Sequence, residues 1–107
     1  MVNTQTIKMN PELMEPITSG KKKATIRLGI KTKYSLGHVN FVNNTDENDI
    51  IKNGNKIVEI KTITPIDITH EMARSEGYNH RFSLINKLEE IYGDLPSFTQ
   101  MTYIRWE

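Results

Sequence analysis

Residues 56–64, KIVEIKTIT, and residues 101–106, MTYIRW, are rich in β-branched and aromatic residues with partial alternation and read as strands. The segment between them has a helical period instead. Leu84, Ile85, Leu88, Ile91 and Tyr92 recur at i, i+1, i+4, i+7 and i+8, with Ser83 available as a cap and Gly93 as the terminator. This apolar face is read as core rather than as a groove for a partner. Just upstream, Asp67 or Thr69 can cap a helix running to about Glu76, which Gly77 ends. Two helices held between strands, with no regular βαβα alternation, confine the chain to the α+β class.

The first half completes the pattern. HVNFV, residues 38–42, reads as a strand. Asn10 can cap a short helix with Pro11 at its first position that buries Leu13, Met14 and Ile17 and stops at Gly20. Pro16 lacks a donor and crowds the preceding turn, so this helix is expected to be short or kinked. The polar stretch NNTDENDIIKNGN, Asn43 to Asn55, reads as a long hairpin loop. The order is strand, helix, several strands, two helices, strand, which suggests a mostly antiparallel sheet or small barrel with flanking helices.

With 107 residues the chain is expected to be a single domain, 1–107. A chain of this size hides about 60–70% of its unfolded surface, so a cleft is expected rather than a deep internal site. No apolar run of membrane-spanning length and no basic-then-apolar leader is present, which points to the cytoplasm and away from a membrane. The absence of cysteine excludes disulfides, zinc–thiolate sites and thiol nucleophiles. His38, His70 and His80 lack metal-ligand spacing, and HEMAR lacks the second histidine of the zinc-protease motif, so neither a metal nor a cofactor is expected.

A net charge of +1 says little about partners, but its distribution is uneven. From Pro16 to Thr45 there is no Asp or Glu, while Lys21, Lys22, Lys23, Arg27, Lys31 and Lys33 all lie there. Folded into one surface region, such a window attracts phosphates or carboxylates; dispersed, it is a set of solvated lysines. Within it, SGKKKATIRLG leaves the Gly20 turn and enters a strand. Alternation then puts Lys23, Thr25 and Arg27 on one face and Ala24 and Ile26 on the other, with Lys22 at the turn able to bend either way. An ammonium, a hydroxyl and a guanidinium can converge there.

Gly20, Lys22, Thr25 and Arg27 resemble the G-x-K-x-x-[ET]-x-R signature of the ASCH family, PUA-like domains related to an RNA-associated coactivator module. The preceding helix, YSLGHVNFV, the helix ending at Glu76, EEIYG and the closing MTYIRW follow in the family's order, so the resemblance covers nearly the whole chain. It implies a PUA-like α+β fold. Threonine at position 25, where glutamate is common in the family, is similar to the small bacterial subgroup of N4-acetylcytidine amidohydrolases. That resemblance implies catalytic roles for Lys22 and Thr25 through the motif, and for Glu76 through segment order and a short A-x-x-E match. It also assigns Arg27 to substrate positioning.

Amide hydrolysis needs a nucleophile, a base and an acid for the departing amine, and these three residues can supply them. Thr25 is read as attacking the acetyl carbonyl, Lys22 as activating it, Glu76 as relaying the proton to the cytosine amine, and Arg27 as holding the base or the oxyanion. Glu76 in a last helical turn faces the negative dipole end, which disfavours its anion by up to ~1 kcal/mol. Tyr78, beside Glu76 and Gly77, is read as lining the pocket, where a stacked pyrimidine contributes about 1–3 kcal/mol. Structural readings stand beside these: a surface glutamate at 76, an ion-pair partner at Arg27, an ordinary strand threonine at 25. The expected partner is a small-molecule nucleoside, with RNA as a further one and no DNA. The alternative reading is a non-catalytic RNA- or nucleotide-binding module; ribonuclease activity ranks last.

Overall fold

The computed structural model describes residues 5–107, the side chain of Glu47 excepted. Strand β1 (Gln5–Met9) leads through a 3-10 turn (Pro11–Leu13) into helix α1 (Met14–Ser19). Strands β2 (Ala24–Leu28), β3 (Gly37–Asn43) and β4 (Asp46–Ile63) follow. A second 3-10 turn (Pro65–Asp67), helices α2 (His70–Ser75) and α3 (Arg81–Tyr92) and strand β5 (Met101–Trp106) complete the fold. The five strands form one sheet in the order β1-β3-β4-β5-β2. Among the described residues only the β1–β3 pairing is parallel, so the mostly antiparallel α+β expectation holds.

The sheet has a core on each face because its strands alternate. On β5, Met101 and Tyr103 pack with Ala24 and Ile26 of β2 under Met72, Ala73, Leu84 and Leu88 of the two helices. Ile104 and Trp106 point the other way and join Ile7, Met9, Val39, Phe41 and Ile57 inside the curl, which Ile17 of α1 helps to fill. Phe41 and Trp106 meet there with ring centroids 4.5 Å apart. Curling brings the two edge strands together. Arg27 of β2 donates from Nη2 to the Lys8 carbonyl of β1 at 2.9 Å and to Met9 Sδ at 3.3 Å, closing a half-barrel with a side chain.

Four expectations are corrected. The Asn43–Asn55 stretch is not a loop: residues 44–45 make the turn, and from Asp46 onward the chain is the long strand β4. Asn43 Oδ1 accepts from the Thr45 backbone N–H and hydroxyl, tightening that turn, and register shifts along β3–β4 accommodate the polar ribbon. The N-terminal helix splits into a 3-10 turn capped by Asn10 and the separate helix α1, which places Pro16 in a first turn, where its missing N–H is harmless. Met14 is exposed rather than buried. Finally, α3 starts at Arg81 rather than after Ser83, because His80 Nδ1 accepts the Phe82 N–H and serves as its cap.

Candidate active site

The backbone around the lysine run is tied to three elements. Gly20, at φ 85°, turns the chain out of α1, and the Lys22 N–H donates to the Pro16 carbonyl at 2.9 Å. The Lys23 N–H donates to the Ser75 carbonyl at the end of α2, and its carbonyl accepts from Trp106 N–H of β5. Lys22 is thereby turned inward while Lys21 and Lys23 stay exposed. The expectation that Lys23 shares the Thr25 and Arg27 face of the strand is corrected: it precedes β2, and Lys22 takes that place beside Thr25 and Arg27 along the cleft.

Glu76 arrives from the opposite direction. Thr69 caps α2 by accepting the Met72 N–H, and the helix closes in a Schellman arrangement: Tyr78 N–H to the Ala73 carbonyl at 2.8 Å, Gly77 N–H to the Arg74 carbonyl at 2.9 Å. Gly77 stands at φ 95°, the left-handed region where a side chain is strained. A Cβ there would also lie 3.6 Å from the Lys21 carbonyl oxygen. This close approach lets the end of α2 lie against the lysine run, and Glu76 Oε1 accepts a hydrogen bond from Lys22 Nζ in a buried ion pair.

Lys22, Thr25 and Glu76 are 5%, 6% and 7% exposed and make up three of the five buried polar or charged residues among those described. Burying such groups is unfavourable unless they are paired, so their gathering at one place is a costly arrangement. Burial pushes the Glu76 carboxyl up from its ordinary value, against the pull of Lys22, Arg27 and the Ile26 backbone. Burial also raises the Tyr78 phenol, helped by Glu76 and Glu90. Among the described residues the Thr25 hydroxyl has no hydrogen-bond partner.

All five predicted site residues, Lys22, Thr25, Arg27, Glu76 and Tyr78, line one cleft of about 370 Å³. That volume lies in the range of small-ligand sites. Its polar wall is the Lys22, Thr25 and Glu76 cluster, and its apolar wall comes from α3 through Leu84, Leu88, Ile91 and Tyr92. The sequence reading assigned this helix face wholly to the core; Leu84 and Leu88 are buried, but Ile91 is exposed at the cleft. An apolar stripe one turn longer than its core requires was the available signal. Asn10 and Asn44, which also line the cleft, had none. Arg27 occupies the floor between β1 and β2, with part of its guanidinium committed to Lys8 and Met9 and its buried Nε without a partner among the described residues.

No group of three or more potential metal-ligating side chains is present among the described residues, and no helix there is long and apolar enough to cross a membrane. His70 and His80 do meet, edge to face at 4.6 Å, bracing the starts of α2 and α3.

No family model and no curated protein matches the chain. Among solved structures it is similar to an ASCH domain from Lactobacillus crispatus JV V101, with a TM-score of 0.67 and 12% identity over 96% of this chain and 79% of that one. It is also similar to a protein of the DUF984 family from Enterococcus faecalis V583, with a TM-score of 0.64 and 11% identity over 100% of this chain and 80% of the other. The curled five-stranded mixed sheet with its few helices is therefore the ASCH fold, a PUA-like α+β half-barrel.

Proposed function

We propose that this chain is an amidohydrolase that removes the acetyl group from N4-acetylcytidine, giving cytidine and acetate. The observation that carries the reading is the burial of a lysine, a threonine and a glutamate along one nucleoside-sized cleft, with the lysine and glutamate directly paired. In the proposed reaction Glu76 draws a proton from the Lys22 ammonium, which frees an amine to take the Thr25 hydroxyl proton. Thr25 Oγ1 attacks the acetyl carbonyl, the amide C–N bond breaks, and the cytosine N4 leaves with a proton returned through the pair. An acetyl–threonine ester remains. Water, deprotonated by the same pair, adds to it, releasing acetate and restoring the hydroxyl.

The raised carboxyl of Glu76 supports this role, because burial makes it hold a proton more readily than an exposed carboxylate does, which suits a group that must accept a proton and return it. Tyr78 offers a ring at the cleft against which a pyrimidine can stack. Arg27 is given the substrate-positioning role, from a cleft floor on which its Nη2 is held by contacts with β1.

The test is release of cytidine from N4-acetylcytidine by the purified protein, followed chromatographically. Thr25→Ala and Lys22→Ala are each expected to lower kcat by about 10²–10⁴-fold, the usual effect of removing a positioned proton-transfer group or its nucleophile. Turnover by the wild type with either variant near wild-type rate overturns the mechanism; absence of turnover by the wild type overturns the activity.

A further inference from the structure

A second depression adjoins the cleft. It has a volume of about 450 Å³, is lined by Gln5, Thr6, Lys8, Arg27, Lys33 and Tyr34, and shares Lys8 and Arg27 with the cleft wall. Three of its six lining residues are cationic, and none of the six is a carboxylate. Two of the cations, Arg27 and Lys33, come from the segment between Pro16 and Thr45 that contains no Asp or Glu.

This basic trough is held in shape by hydrogen bonds. The loop between β2 and β3 is fixed at its far end by the Gln5 carboxamide, which donates from Nε2 to the Ser35 carbonyl at 2.6 Å and accepts the Ser35 N–H at Oε1 at 3.0 Å. At its near end the Thr102 hydroxyl accepts the Lys31 N–H at 2.9 Å and donates to the Gly29 carbonyl at 2.8 Å. Lys33 therefore sits on a loop anchored at both ends, its ammonium 5.1 Å from the Tyr34 ring centroid. Among the described residues Lys33 makes no ion pair. Nη2 of Arg27 is engaged with β1 and Nε is buried, which leaves Nη1 to donate to a phosphate oxygen.

We propose that this trough binds a phosphate group attached to the nucleoside in the neighbouring cleft, so that the ligand is a nucleotide rather than a free nucleoside. The inference rests on the reading of the cleft as a nucleoside site and adds its substrate class. A phosphate monoester carries about −1.5 to −2 charge at neutral pH, and Arg27 and Lys33 are placed to receive it through charge-assisted hydrogen bonds. An internal phosphodiester of RNA presents the same oxygens with one charge, so both sources fit the trough.

Calorimetric binding of cytidine, cytidine 5′-monophosphate and a short single-stranded RNA with a central cytidine tests this without requiring turnover. Cytidine 5′-monophosphate is expected to bind about tenfold more tightly than cytidine, the effect of one charge-assisted contact, with the advantage shrinking at high salt. Lys33→Gln, in an exposed loop, is expected to remove most of that advantage. Tighter binding of the RNA than of the monophosphate identifies RNA as the source; the reverse order identifies a free nucleotide. Equal affinity for cytidine and its monophosphate, or a monophosphate preference untouched by Lys33→Gln, overturns the proposal. A protein that binds the monophosphate preferentially but releases no cytidine from N4-acetylcytidine keeps this inference and loses the amidohydrolase reading.

Discussion

Replacing Lys22 with methionine removes the partner of a buried carboxyl while keeping most of the side-chain volume. The wild-type pair is nearly excluded from water, at 6% side-chain exposure on each side, so Glu76 is left facing a low-dielectric wall without its donor. Breaking such a pair costs about 3–5 kcal/mol, against a total stability of about 5–15 kcal/mol for a domain. At about 4–6 °C per kcal/mol for a chain of this size, the melting temperature should fall by roughly 12–30 °C. Glu76 can soften the loss by taking up a proton, so the cost should be smallest in acid and grow toward alkaline pH. The double variant Lys22→Met/Glu76→Leu removes both polar groups and should recover much of the stability. Urea unfolding of the four proteins, analysed as a double-mutant cycle, supplies the coupling energy. A single-variant loss below about 1 kcal/mol, or a double variant equal to the sum of the singles, would refute the reasoning that the two groups stabilise each other inside the cleft.

Gly77→Ala forces a side chain into left-handed backbone beside the Lys21 carbonyl and should cost about 1–2 kcal/mol; it should also lower the proposed deacetylation, because Glu76 precedes this residue, and a stable variant with full activity would contradict that role for Glu76. The pH dependence of stability follows from the raised Glu76 carboxyl, whose native form holds a proton more tightly than the unfolded one. Its contribution is complete below the unfolded carboxyl value of about 4.3 and is lost as pH rises through the higher native value. Wild-type stability measured over this range should therefore fall relative to Glu76→Gln, and parallel curves would count against the shift.

Runs with a buried side were readable in the sequence because burial imposes a pattern. HVNFV, KIVEIKTIT and MTYIRW form strands since their apolar residues must face one of two cores, and Gly77 marks the end of α2 since a Schellman turn needs its left-handed backbone. The first part of β4 gave no such pattern: its residues from Asp46 to Ile50 are exposed wherever their side chains are described, and pairing with β3 makes them a strand. His80 went unread as the cap of α3 because its Nδ1 does the work that a hydroxyl or carboxamide usually does. At the site, alternation reached Thr25 and Arg27 but set Lys23 beside them, and Lys22 came through the resemblance to the motif, whereas the Lys22–Glu76 contact depends on how closely α2 approaches a loop 54 residues distant in sequence. Arg27 was legible as a cation but not as a bridge, since nothing local encodes how far the sheet curls before β1 and β2 meet.

That bridge has a mechanical consequence. Among the described residues the half-barrel has a seam between β1 and β2 without a backbone ladder, crossed by the Arg27 guanidinium at the floor of the cleft. Parting those strands at that point sacrifices a side-chain hydrogen bond and a sulfur contact but no rung of the sheet, about 1.5–3 kcal/mol for a bond from a charged donor. The cleft and the basic trough lie on either side of the same clasp. A ligand spanning both would press on it directly, so seating the ligand and setting the width of the barrel become one event.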